Sequence, residues 1–222
     1  MKPEFWIEGW RQGRRGFDQS DPHRWLAEHW SAVGLKADDT VFVPLCGKTV
    51  DMVWLAEQGH QIIGVELSEL AVNEFFEMVG LTPEMEGVGP LSVYRAGPYE
   101  IWRGDLFELP AAVFDRVDAV YDRASIVALP PDIRRRYAEV LAMQIPPEAP
   151  WYLVSFTYDQ LEMEGPPHSV PLNEIEALFG EEFEIDTIVD ESVIERAAHF
   201  QERGMTAMRE TLSILRRPIR RF

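Results

Sequence analysis

Val41-Phe42-Val43-Pro44-Leu45-Cys46-Gly47-Lys48, then a helical pattern from Val50 to Gln58, then Gln61-Ile62-Ile63-Gly64-Val65-Glu66-Leu67-Ser68: this stretch decides the fold. Val41 to Val43 and Gln61 to Val65 are short, apolar and rich in β-branched residues, the signature of buried strands. Between them Val50, Met52, Val53, Leu55 and Ala56 supply the apolar face of a helix. A strand, a helix and a strand in that order pair in parallel through a right-handed crossover. The alternation continues outward. Glu69 to Val79 carries Leu70, Ala71, Val72, Phe75, Phe76 and Val79, and Asp132 to Gln144 follows Pro130-Pro131 with Asp132 placed to favour the helix dipole. Tyr99 to Arg103, Val117 to Tyr121 and Tyr152 to Phe156 read as further strands. The expected fold is α/β, a doubly wound, mostly parallel Rossmann-like sheet with an antiparallel edge. Phe183 to Val189 and Glu210 to Arg217 can be strand or helix on periodicity alone.

The 222 residues suit one domain, and a 46% hydrophobic share with 27% charged residues is a globular composition. Lys and Arg number 21 against 38 Asp and Glu, a formal net charge of −17. A field that acidic repels polyanions and anionic membranes, so neither nucleic acid nor a membrane surface is expected as a partner. The lone Cys46 excludes an internal disulfide framework and fits a reducing compartment. No apolar run approaches the roughly 18 residues of a membrane span, and residues 1 to 20 lack the pattern of a signal peptide. A cytoplasmic monomer is expected.

Ligands of open parallel sheets bind beyond the carboxyl ends of the strands. After the first strand, Gly47 allows close approach of backbone to a ligand, although a plain turn would also use it. The segment is neither GxGxxG nor a P-loop. After the second, Glu66 stands nineteen positions beyond Gly47, where a carboxylate can accept both hydroxyls of a ribose; a charge for the next helix is the plainer reading. After the third, Asp105 can accept from an adenine amino group while the Leu106 N–H donates to a ring nitrogen, or Gly104-Asp105 is a surface turn. After the fourth, Asp122-Arg123 is either an ion pair or a source of a cation for an anionic substrate. The five histidines form no HExxH and GxSxG is absent, which disfavours zinc and serine hydrolase chemistry.

Phe42 to Lys48, Asp51-Met52, Trp54-Leu55, Gly59-His60, Gly64 to Leu70 and Phe75-Phe76 closely resemble the thiopurine S-methyltransferase family, in its bacterial type. Tyr121 to Ala124, Val127 to Pro131, Gly165-Pro166-Pro167, Val170-Pro171 and Leu178-Phe179-Gly180 do so too, as do Trp6, Trp10, Gly13 and Phe17. The resemblance implies one class I methyltransferase domain over residues 1–222, residues 1–30 forming a helical lid, with S-adenosylmethionine as methyl donor. It places cofactor contacts on Trp10, Leu45, Glu66, Asp105, Leu106 and Arg123, to which the turn itself adds Gly47, and the acceptor it implies is an aromatic or heterocyclic thiol, with thiopurines as test substrates, or a selenium or tellurium compound. Where the family often has His after its N-terminal Phe, this chain has Asp18. A thiolate is the competent nucleophile, Arg123 can favour it, and Asp18 and Asp122 are candidate proton acceptors. Two other readings share the sheet and the ribose carboxylate: a nicotinamide-dependent oxidoreductase and a non-catalytic S-adenosylmethionine sensor.

Overall fold

The computed structural model describes residues 3–14, 18–196, 198–202 and 204–218. Phe17 lies outside the described residues. Contacts group the chain into two compact units, one ending at Tyr121 and one beginning at Asp122.

The first unit opens with helices α1 (Pro3–Arg11) and α2 (Arg24–His29), and its core alternates β1 (Thr40–Val43), α3 (Asp51–Glu57), β2 (Gln61–Glu66) and α4 (Glu69–Met78). An antiparallel run of β3 (Glu84–Val88), β4 (Leu91–Ala96) and β5 (Tyr99–Arg103) follows, then α5 (Ala111–Phe114) and β6 (Ala119–Arg123), whose last two residues are counted with the second unit. The strand order is β3-β4-β5-β2-β1-β6. β5, β2, β1 and β6 are parallel, with Val43 opposite Gly64, Glu66 opposite Arg103 and Phe42 opposite Val120. β2 is buried along all but its first residue, as a strand covered on both faces must be. Ser68 caps α4 by accepting the Ala71 N–H, and Val72, Phe75 and Phe76 form its buried face. Edge-on rings, Phe42 to Phe114 at 5.4 Å and Phe75 to Tyr99 at 5.0 Å, fill the core.

The second unit holds α6 (Pro131–Gln144), β7 (Trp151–Thr157), α7 (Leu172–Phe179), β8 (Glu184–Ser192), α8 (Ala198–Gln201) and β9 (Arg209–Arg216). β9 lies between β7 and β8 and is antiparallel to both. Pro131 occupies the first turn of α6, where its missing N–H costs nothing. Trp151 packs against Tyr137, Phe179 and Phe183 to form the aromatic core. The two segments left open by periodicity are strands, β8 and β9. The β3–β4 hairpin is a further antiparallel element that the sequence reading did not name.

Candidate functional site

Glu66 ends β2, and three loops converge on it. The Cys46 N–H donates to the Val65 carbonyl at 2.9 Å and the Gly104 N–H to the Glu66 carbonyl at 2.8 Å, so the turns after β1 and β5 are stitched to the end of β2. The Glu66 carboxylate completes this: Oε2 accepts the Gly47 N–H at 3.0 Å and Oε1 the Ser68 N–H at 2.7 Å. The residue is buried, and burial raises its pKa to about 7, against the lowering pull of the Ser68, Gly47 and Leu67 N–H groups. Each carboxylate oxygen has a second acceptor position beyond the one used. Those positions can take two neighbouring hydroxyls.

The turn after β1 needs unusual backbone. Leu45 has φ 48° and Gly47 φ 53°, both left-handed, and the first is an L-residue without the ease of glycine. Gly64 makes the turn possible from below, because a Cβ there would lie 2.7 Å from Ile101 Cδ1 and 2.8 Å from Cys46 Sγ. Cys46 is buried in this contact, and burial together with the Glu66 charge pushes its thiol well up, so it is a packing group and no nucleophile.

Asp105 follows Gly104, and its Oδ1 accepts the Phe107 N–H at 3.0 Å, capping the short turn of helix Leu106–Glu108. Its second oxygen carries no part in that cap. Leu106 is buried, and Trp10, on the inner face of α1, is only 3% exposed. Glu66, Gly47, Asp105 and Leu106 are therefore assembled by the β5-β2-β1 pairing, as reading the carboxyl ends of the strands anticipates.

The structure places Asp18 and Asp122 differently from the expectation of free proton acceptors. Asp18 Oδ2 lies 3.4 Å from Lys48 Nζ, which also meets Glu74 Oε2 at 3.2 Å. Asp122 has no exposed surface; it accepts the Tyr137 O–H at 2.6 Å and the Ile126 N–H at 3.0 Å. Burial lifts it to about 6, opposed by those donors, and pushes the Tyr137 phenol well up. Asp122 is thus a buried support for the turn after β6, with Ala124 at φ 62°, and does not present its side chain to solvent. Arg123, the last residue of β6, is half-buried.

Sequence reasoning missed several supporting residues. In the first unit, wholly buried Asp51 accepts the His23 N–H at 2.6 Å and the Tyr121 O–H at 2.9 Å. In the second, Arg134 is 1% exposed, bonds the Leu129 carbonyl through two nitrogens and pairs with Glu174. Tyr158 and Gln160 lace the Gly165 to Pro171 loop, with Tyr158 O–H donating to the Pro167 carbonyl and the Ser169 N–H to Gln160 Oε1. The two Asp51 partners stand 28 and 70 positions away, a distance that leaves no mark in spacing. A cavity of about 260 Å³ walled by Trp30, Trp54 and His60 contains none of the expected site residues. No helix among the described residues is long and apolar enough to cross a membrane.

The family model described as thiopurine S-methyltransferase matches residues 1–218. A thiopurine S-methyltransferase of Xanthomonas axonopodis pv. citri is 40% identical over 217 residues, covering 98% of this chain and all of that protein. One of Pseudomonas fluorescens is 40% identical over 216 residues, covering 97% of this chain and 99% of its own. Among solved structures, a SAM-dependent methyltransferase from Anabaena variabilis superposes with TM-score 0.66 at 12% identity, covering 97% of this chain and 95% of that one. A Burkholderia thailandensis 1,6-didemethyltoxoflavin-N1-methyltransferase, crystallised with S-adenosylhomocysteine, gives TM-score 0.63 at 15% identity, covering 96% and 87%. These establish the class I methyltransferase fold.

Proposed function

The chain belongs to the thiopurine S-methyltransferase family, and from that premise we propose that it transfers the sulfonium methyl of S-adenosylmethionine to a small aromatic or heterocyclic thiol. The observation that carries the donor half is the buried Glu66 carboxylate, whose two oxygens are held at a fixed spacing by Gly47 and Ser68. A ribose diol donates to such a pair, and Asp105 with the Leu106 N–H suits an adenine edge. Leu45 and Gly47 offer backbone to the remainder, and Trp10 belongs to the lid formed by residues 1–30 of a single methyltransferase domain.

S-adenosylmethionine supplies an electrophilic methyl and a neutral thioether leaving group. In-line displacement needs alignment and dryness more than acid–base help, which is what a buried, pre-stitched site supplies. Even a free cysteine thiol, with pKa about 8.5, is partly ionised at neutral pH, and an aromatic thiol is more acidic, so no strong base is required. We assign Arg123 to favouring the thiolate, and Asp18 and Asp122 to positioning, since each is already engaged by Lys48 or Tyr137. The proton leaves to solvent. We place the enzyme in the cytoplasm as a monomer, with selenols and tellurium compounds as further acceptors to test.

The deciding experiment incubates the protein with labelled S-adenosylmethionine and a panel of thiols and selenols. Methylated product is expected. Donor binding without turnover on any acceptor would favour the sensor reading, and absence of donor binding would remove the proposal. The nicotinamide-dependent reading draws no support from the family or from the solved neighbours.

A further inference from the structure

The structure assigns Lys48 a positioning role: it clasps the segment from Asp18 to His23 to the turn that holds the methyl donor, and the strength of that clasp sets how fast the spent donor leaves. The inference rests on the reading of Gly47 and Glu66 as the cofactor site. Lys48 follows Gly47 directly, and Gly47 is held by the Glu66 carboxylate at 3.0 Å, so the stem of this lysine starts from a fixed point. Its ammonium meets two carboxylates from separate elements, Asp18 at 3.4 Å and Glu74 of α4 at 3.2 Å. The segment is fastened a second time at His23, whose N–H donates 2.6 Å to Asp51 Oδ1.

The two fastenings differ in kind. Asp51 is fully buried, so its bond is shielded from solvent and persists. The three partners of the ionic clasp are 21%, 19% and 22% exposed for Lys48, Asp18 and Glu74, so water and salt reach it. A permanent anchor at one end and a screenable one at the other make a strap that opens at Asp18 and pivots at His23. Removing the cation does more than delete attraction. Asp18 and Glu74 would still face the place where one nitrogen met both, now without the ammonium they shared.

The test uses the full chain as wild type, Lys48→Met and Lys48→Arg, with thermal unfolding to verify folding. Without any cofactor, hydrogen exchange of the peptide covering Asp18 to His23 is measured at low and high salt. Exchange should quicken with salt in wild type, be about fivefold faster and indifferent to salt in Lys48→Met, and return to wild-type behaviour in Lys48→Arg. Stopped-flow release of S-adenosylhomocysteine should follow the same order, with KM for S-adenosylmethionine raised and kcat not lowered in Lys48→Met. Wild-type exchange in Lys48→Met would overturn the clasp, and quickened exchange with unchanged release would overturn its effect on product departure. Should wild type bind neither form of the cofactor, the parent reading fails while the exchange data still decide the clasp.

Discussion

The binding of S-adenosylmethionine should be governed by a proton on Glu66. In the free protein burial raises this carboxyl to about 7, while a ribose diol, which donates, binds the ionised form. Binding therefore favours loss of the proton, and affinity falls as pH falls through 7. At pH 8 nearly every molecule is ionised and at pH 6 about one in ten, so the dissociation constant should rise about tenfold between them, roughly 1.4 kcal/mol. Titration calorimetry at both pH values, in two buffers of different ionisation enthalpy, reads the affinity and the proton together. Close to one proton should be released per cofactor bound at pH 6 and almost none at pH 8. Glu66→Gln should flatten the profile at weaker affinity. Glu66→Ala should cost at least a hundredfold, because charge-assisted hydrogen bonds contribute about 1.5 to 3 kcal/mol each and two are lost. A constant affinity from pH 6 to 8 with no proton release would refute the reasoning.

The same carboxyl should mark stability. With its folded pKa raised above the ordinary 4.5, protonated Glu66 favours folding below that value, and the advantage is lost as pH rises through 7. Urea unfolding of the free protein at pH 6 and 8 should show wild type losing about 1.4 kcal/mol more than Glu66→Gln across that interval. Gly64→Ala should destabilise by about 1 to 3 kcal/mol and weaken cofactor binding, since its methyl meets Ile101 Cδ1 at 2.7 Å and Cys46 Sγ at 2.8 Å and moves the turn; calorimetry of binding and of unfolding checks both. Asp122→Ala strands the Tyr137 O–H and the Ile126 N–H, for a loss of about 3 kcal/mol, while Tyr137→Phe should cost less than half as much in the same denaturant assay. Arg123→Met should raise the thiol KM and move the acidic limb of the kcat profile, which reports the bound complex, to higher pH, read in steady-state assays of a thiophenol.

Sequence patterning exposed the alternating parallel core because β1, α3 and β2 are each specified locally, by β-branched runs, helical spacing and Gly at the turns. The grouping of Gly47, Glu66 and Asp105 was legible for the same reason: all three follow strand ends, and strand ends can be read in one dimension. The β3–β4 hairpin was not, because Glu84 to Val88 is an edge strand, mostly exposed and without an apolar run. Nor was the pairing of Asp18 with Lys48, or of Asp122 with Tyr137, since both depend on elements brought together only by folding. A carboxylate in a sequence does not say whether it will face substrate, a cation or a phenol.

Leu45 is held at φ 48°, a conformation that costs an L-residue about 1 to 2 kcal/mol and that glycine would adopt freely. A substitution to glycine would relax that tension and set the amide beside it loose among many orientations. Leucine at this point thus reads as a preference for aim over comfort: resting energy is held in the backbone and the peptide group keeps one orientation.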